Sequence, residues 1–221
     1  MSKIMMLLQN ALQRLIYYIP VMITALTVHE YCHAKTAQLL GDNTAKYAGR
    51  VSLNPLRHLD PLGAVCMVLF GFGWGKPVPI SVLNFKKPQR DSALVALAGP
   101  LSNLLMACIW GFAYGILGAL FLKGNYAITL CFYGVYLNCV LCVFNLLPIT
   151  PLDGSRILSL LLPKNVYFKL IKYERIFFII VIVLMFTNIL NPVITYLAKG
   201  VMTGLDYTFV NLGWHLGNLF R

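Results

Sequence analysis

Four runs of this chain are too long and too apolar for the interior of a small soluble domain. From Arg14 to Leu40 the residues read as one helix built on "LIYYIPVMITALTV", and 27 residues at 1.5 Å each reach about 40 Å. Further runs cover 92–122, 126–147 and 176–198. The hydrocarbon layer of a bilayer is roughly 30 Å thick, and inside it only helices and closed barrels satisfy their own backbone. The chain is therefore predicted to be an all-α polytopic membrane protein with about four long membrane helices. Composition agrees: mean hydropathy is +0.74, and 11% of residues are charged against roughly 25% in a soluble domain.

The connections carry their own signals. "LGAVCMVLFGFGWG", residues 62–75, is apolar but too short to cross, which predicts a re-entrant segment. "GRVSLNP" reads as a short strand, and the Pro-punctuated residues 76–90 as a hairpin at the cytoplasmic membrane surface. Gly41-Asp42 ends the first helix, and kinks are expected at Pro20 and Pro192. No internal repeat is present. The organisation expected is one membrane-embedded domain over 1–221, with a core at 14–162, an extra helix at 174–198 and an interfacial tail at 200–221. No small-residue cleavage site follows the first apolar stretch, so no secretory signal is expected.

Net charge is +11, from 18 Lys and Arg against 7 Asp and Glu. The basic residues flank apolar runs, which points to topology and anionic lipid rather than to nucleic acid. Loops 41–61, 76–90 and 163–175, with the helix ends facing them, hold 13 of the basic residues, and the opposite side holds 5. The 13-charge side is predicted cytoplasmic, in the membrane of a bacterial or archaeal cell.

"TVHEYCH", residues 27–33, puts three ionisable groups near the cytoplasmic end of the first span. Intramembrane ionisable groups are costly and mark function. On a helix His29 and His33 share a face. Imidazoles at that spacing suit two corners of a zinc tetrahedron, with Glu30 as general base to the water; helix-end histidines meeting backbone or headgroups are the plainer alternative. A catalytic zinc needs a third protein ligand. Among seven acidic residues, Glu174 lies among cations, Asp42, Asp60 and Asp91 lie beside turns or helix starts, and Asp206 is on the far side. Asp153, in "NLLPITPLDGSRIL", sits in a Pro/Gly interruption on the HEYCH side, as a third ligand or as the cap of a helix at 155–162. Cys139 and Cys142 form a CxxC inside an apolar run, with no loop or basic neighbour, and read as helix packing rather than as a redox pair.

With these segments together, the sequence resembles the site-2 protease family of intramembrane zinc metalloproteases over residues 14–162. The resemblance rests on "HEYCH", "GRVSLNPLRHLDPLG", "GWGKPVP", "AGPLSN" and "NLLPITPLDG". It implies His29, His33 and Asp153 as ligands of one Zn2+ per chain, and Glu30 as the catalytic base. Asn145 matches a motif asparagine implied to hold the substrate peptide or its oxyanion, with a buried interhelical bond as the alternative. Asn103 reads as a contact between helices, and His58 is not proposed as a ligand. The extended "GWGKPVPISVLNF" would suit a substrate held by β-augmentation. The short chain resembles the minimal branch without PDZ or CBS modules.

The function expected is a zinc-dependent endopeptidase that cuts a transmembrane protein or a signal-peptide-like segment near the cytoplasmic face. Glycines at 71–75 would suit a mobile gate there. A non-catalytic membrane scaffold with the same architecture is the alternative, and a metal transporter is disfavoured by the single metal constellation. The sequence assigns neither a particular substrate nor an oligomeric state.

Overall fold

The computed structural model describes residues 12–70, 73–121, 125–163 and 173–220. Nine α-helices are described, numbered here in chain order. A π-helical turn at Arg14–Tyr18 leads into α1, Ile19–Leu39. Pro20, which has no N–H to donate, stands near the start of α1 where the π turn hands over to the α ladder. Gly41, at φ 107°, ends this helix in a conformation that favours glycine. Next come α2 (Thr44–Tyr47), α3 (Pro61–Phe70), α4 (Pro88–Leu120) and α5 (Tyr126–Leu146). They are followed by α6 (Asp153–Leu158), α7 (Glu174–Phe186), α8 (Asn191–Leu205) and α9 (Asn211–Asn218).

Three helical segments, Leu15–Leu39, α4 and α5, are long and apolar enough to cross a membrane, and the bent α7–α9 arm makes a fourth if it counts as one span. Leu101, Leu105 and Ile109 stand exposed along α4, as do Ile179 and Val183 along α7. Such a belt belongs in lipid rather than in water.

The central post is α4, which contacts α1, α5, α6 and α9. It is lined with small residues, and Ala107, Gly111, Gly115 and Ala119 recur every four positions on a buried face. Small residues let membrane helices approach to backbone contact. At Gly115 a methyl group would fall 2.1 Å from the carbonyl oxygen of Val210, and at Gly213 one would fall 2.2 Å from that of Phe112. One apolar core joins α1, α3 and α5 through Met22, Leu26, Met67 and Leu137. A second joins α4, α5 and α8 through Ala107, Val135, Cys139 and Ala198.

Several expectations need correcting. Among the described residues there is no β-hairpin; one isolated antiparallel bridge pairs Leu59 with Gly75. "GRVSLNP" forms bends that run into a 3-10 turn at Pro55–Arg57; 76–87 is irregular backbone with a 3-10 turn at Val82–Asn84, and α4 begins at Pro88. The reason is local: Pro77 and Pro79 lack N–H groups for a ladder, and Asp42 takes the N–H of Ser81 at 2.8 Å. The Leu59–Gly75 bridge returns the chain to the point from which α3 set out.

The continuous helix expected at 174–198 is two helices. They are joined through Thr187–Leu190, with Asn188 at φ 57°, and their axes bend by 84°. Pro192 is not the kink; it sits in the first turn of α8, where a missing N–H costs nothing. Residues 200–218, expected as a surface tail, remain helical through a π turn at Asp206–Val210 and dock on α4. The basic stretch 164–172, on which part of the charge count rests, lies outside the described residues, as do 1–11, and so do Gly71 and the side chain of Glu174.

Candidate metal centre

Helix α1 carries both histidines where its sequence placed them, one turn apart and buried. The ring nitrogens Nε2 of His29 and His33 stand 3.0 Å apart. Oδ2 of Asp153 lies 3.3 Å from the first and 3.2 Å from the second. The alternative role for Asp153 is not realised: it is the first residue of α6, Leu152 is the cap position, and no side chain caps that helix. The carboxylate turns instead toward the imidazoles. Among the described residues, this trio is the one acidic, histidine or cysteine group close enough to share a metal ion.

Hydrogen bonding decides what these nitrogens offer. Nδ1 of His33 lies 2.7 Å from the carbonyl of Val95, which can only accept. That ring therefore carries its proton on Nδ1 and presents a lone pair at Nε2. Nδ1 of His29 lies 2.6 Å from Oδ1 of Asn103, which imposes the same tautomer. Two lone pairs and a carboxylate oxygen thus converge on one point. Oδ2 of Asp153 is buried and makes no hydrogen bond, as expected when its neighbours have no proton to give. Such an arrangement is repulsive until a cation occupies it. Tetrahedral coordination with bonds of roughly 2.0–2.1 Å sets donor atoms about 3.3 Å apart, close to the three separations seen here.

Glycine makes the room. A methyl group on Gly99 would lie 2.4 Å from Nε2 of His33 and 2.6 Å from Cε1 of His29. The next residue, Pro100, cannot donate to the carbonyl of Ala96, and Ala96 lines the cavity beside the trio.

That cavity encloses about 750 Å³. Its walls are mainly apolar, from Met22 and Leu26 of α1, Leu141 and Phe144 of α5, and Val181 and Ile182 of α7, with Trp74 at one side. The indole of Trp74 meets Phe178 edge-on with centroids 6.0 Å apart, so α7 closes over the site. Glu30, Asn145 and Arg156 line the same space. A methyl group on Gly75 would come 3.3 Å from Oε1 of Glu30, which places the start of the 75–81 segment beside that carboxylate. Nδ2 of Asn145 donates to the carbonyl of Leu141 at 3.0 Å, and the amide has a second N–H to offer. Arg50 is buried and donates to the carbonyls of Lys76 and, at 3.2 Å, of Pro77, pinning that segment. Burial lowers its pKa and Glu30 opposes the shift.

Asp42, Asp60 and Asp91 bond backbone N–H groups at turns and helix starts, as their positions suggested. Asp60 accepts from Gly63 N at 2.8 Å, and Asp91 from Lys87 N at 2.9 Å. Asp42 accepts from Thr44, Ser81 and Asn84. His58 is fully buried and bonds the carbonyl of Ser52 at 2.6 Å, away from the trio. All six cysteines are free, and Cys139 and Cys142 are buried in helix packing. Asn138 and the Val95 carbonyl had no local mark in the sequence; Gly99 was quoted only as part of "AGPLSN", with no role, and Asn103 was expected only as a helix contact.

A bundle of membrane-length helices with an HExxH pair and a distant aspartate closed around one point defines a metallopeptidase of the membrane-embedded class. Comparison with known proteins agrees. The model of "Peptidase family M50" matches residues 118–190. The Bacillus subtilis protein named "Putative zinc metalloprotease YwhC" is 42% identical over 180 residues, covering 77% of this chain and 80% of its own. Rip2 of Mycolicibacterium smegmatis, described in the same words, is 32% identical over 76% of this chain and 65% of its own. MJ0611 of Methanocaldococcus jannaschii, again so described, is 29% identical over 59% of this chain and 63% of its own. The chain belongs to peptidase family M50, the site-2 protease family. No solved structure matches it.

Proposed function

We propose that this protein is a zinc-dependent endopeptidase that cuts transmembrane segments of other membrane proteins near their cytoplasmic ends. As a member of family M50 it is a zinc metallopeptidase. The observation that carries the reading is the convergence of three unprotonated donor atoms, within 3.0–3.3 Å of one another, on a cavity walled by membrane helices.

His29, His33 and Asp153 hold the metal. When bound, zinc supplies Lewis acidity to water and to the scissile carbonyl. Glu30, one residue along the helix and facing the cavity, takes the proton of the attacking water and delivers it to the departing amide nitrogen. Asn145 offers its free N–H to the oxygen of the scissile carbonyl as charge develops there. The apolar walls accept the side chains of a segment drawn out of lipid, and residues 76–80, pinned by Arg50 at Lys76 and Pro77, offer their backbone to it. The excess of basic residues in the loops at this end supports an orientation with the site toward the cytoplasm. Substrates are then membrane proteins or leftover signal-peptide-like segments, processed by a chain that lies in the bilayer.

The test is Glu30→Gln in purified protein. Zinc is expected to stay at one ion per chain while cleavage of a transmembrane substrate falls by roughly 10²–10⁴-fold. His33→Ala is expected to lose both. Undiminished turnover in Glu30→Gln would overturn the assignment. Cysteine labels at 76–90 are expected to be reached only from the cytoplasm; labelling from outside would invert the orientation.

A further inference from the structure

We infer that Asn103 and Asn138 form a buried orienting relay that sets the tautomer of His29 and so prepares the site for its metal. The inference rests on the metal-site reading above and adds two residues on two other helices.

The relay is readable atom by atom. Nδ2 of Asn138 donates to the backbone carbonyl of Gly134 at 2.8 Å. A carbonyl can only accept, so the amide of Asn138 has one orientation, with Oδ1 facing α4. Nδ2 of Asn103 donates to that Oδ1 at 3.1 Å and to the carbonyl of Ala25 at 3.4 Å. The amide of Asn103 is thereby also fixed, with Oδ1 facing His29. That oxygen accepts from Nδ1 of His29 at 2.6 Å. The imidazole is left with its lone pair at Nε2, directed at His33 and Asp153.

Both asparagines are fully buried. An amide tying two membrane helices together needs only one partner, and either end of it serves. This pair does more: each amide is held in one of its two flips by acceptor-only groups, and the chain of bonds ends on a ring nitrogen whose opposite face is the metal point. Were Asn103 to flip, its N–H groups would face Nδ1 of His29. The ring proton would then move to Nε2, into the space the metal needs. Partners behind metal histidines commonly change metal affinity by roughly 10–100-fold when removed.

The experiment separates orientation from packing. Zinc affinity is measured by chelator competition on purified full-length variants, with apo-protein melting recorded in parallel. Asn103→Leu is expected to bind zinc roughly 10–100-fold more weakly. The decisive comparison is Asn138→Leu in two backgrounds. In the native background it weakens zinc binding, because Asn103 loses an acceptor that orders it. In the Asn103→Leu background it leaves zinc binding unchanged, because no amide remains to be ordered. An equal cost in both backgrounds would reduce Asn138 to helix packing and overturn the relay. So would Asn103→Leu protein that binds zinc as the native chain does. If Asn103→Leu does not fold, Asn103→Ala takes its place in the same comparison. A native chain that binds no zinc would instead overturn the metal site, and the relay with it.

Discussion

Gly99→Ala is the smallest change that reaches the metal centre without touching a ligand. The added methyl would lie 2.4 Å from Nε2 of His33 and 2.5 Å from its Cε1, where ordinary contact begins at 3.4 Å. The shortfall is about 1 Å, against the ±0.2 Å that metal–ligand distances tolerate. Neither ring can retreat freely: His33 is tied to the Val95 carbonyl at 2.7 Å and His29 to Asn103 at 2.6 Å. Either those bonds break or α1 and α4 separate. In an open helix, glycine to alanine would stabilise by roughly 1 kcal/mol. Overpacking here costs roughly 1–3 kcal/mol, so the net sign is a loss. Zinc affinity is expected to drop by at least the roughly 10–100-fold seen when a ligand loses its support. Chelator competition and melting of the purified variant measure both effects. Native zinc affinity in Gly99→Ala, with no loss of stability, would refute the argument that this glycine makes room for the rings.

Other perturbations test the scaffold apart from the chemistry. Gly115→Ala would press a methyl into the Val210 carbonyl and is expected to destabilise the docking of α9, whereas Gly118→Ala, with nothing within 4 Å, is expected to stabilise by up to about 1 kcal/mol. Melting temperatures of the two variants should move in opposite directions, with zinc content preserved in both. Burial alone would raise the pKa of Asp42, but bonds from Thr44, Asn84 and Ser81 outweigh it and hold the carboxyl below its ordinary value. A lowered folded pKa gives stability that is complete above the ordinary aspartate value of about 3.9 and is lost as pH falls through the folded value. Asp42→Asn is therefore expected to melt earlier than the native chain near neutrality. The gap should close as pH drops below about 4, and a gap independent of pH would argue against the charged form.

Residues 187–190, Thr-Asn-Ile-Leu, show where reading the sequence fell short. The last membrane segment looked like one helix with a weak point at Pro192, because a proline is the visible breaker. The chain breaks earlier, at Asn188, and the proline begins the next helix. Likewise the alternating apolar and glycine residues after 200 looked like a surface tail. Two of its glycines instead serve close approach to α4, Gly213 against Phe112 and Gly217 against Ile116 and Ala119. Glycine spacing says that approach is permitted, but not by which helix.

What the sequence determined by itself was local. Helix-length apolar runs require membrane spans, and a separation of four residues puts His29 and His33 on one face whatever surrounds them. Glu30 follows from the same turn. For Asp153, eliminating other carboxylates left a helix cap open and the family resemblance supplied the ligand role, since its contact with the histidines is made across helices. Tertiary structure alone decided that two asparagines stand behind one imidazole, that a backbone carbonyl of α4 fixes the other, and that a missing methyl at residue 99 leaves the rings their space. Those features depend on how closely α1, α4 and α5 cross, and interhelical distance is set by packing that no local pattern encodes.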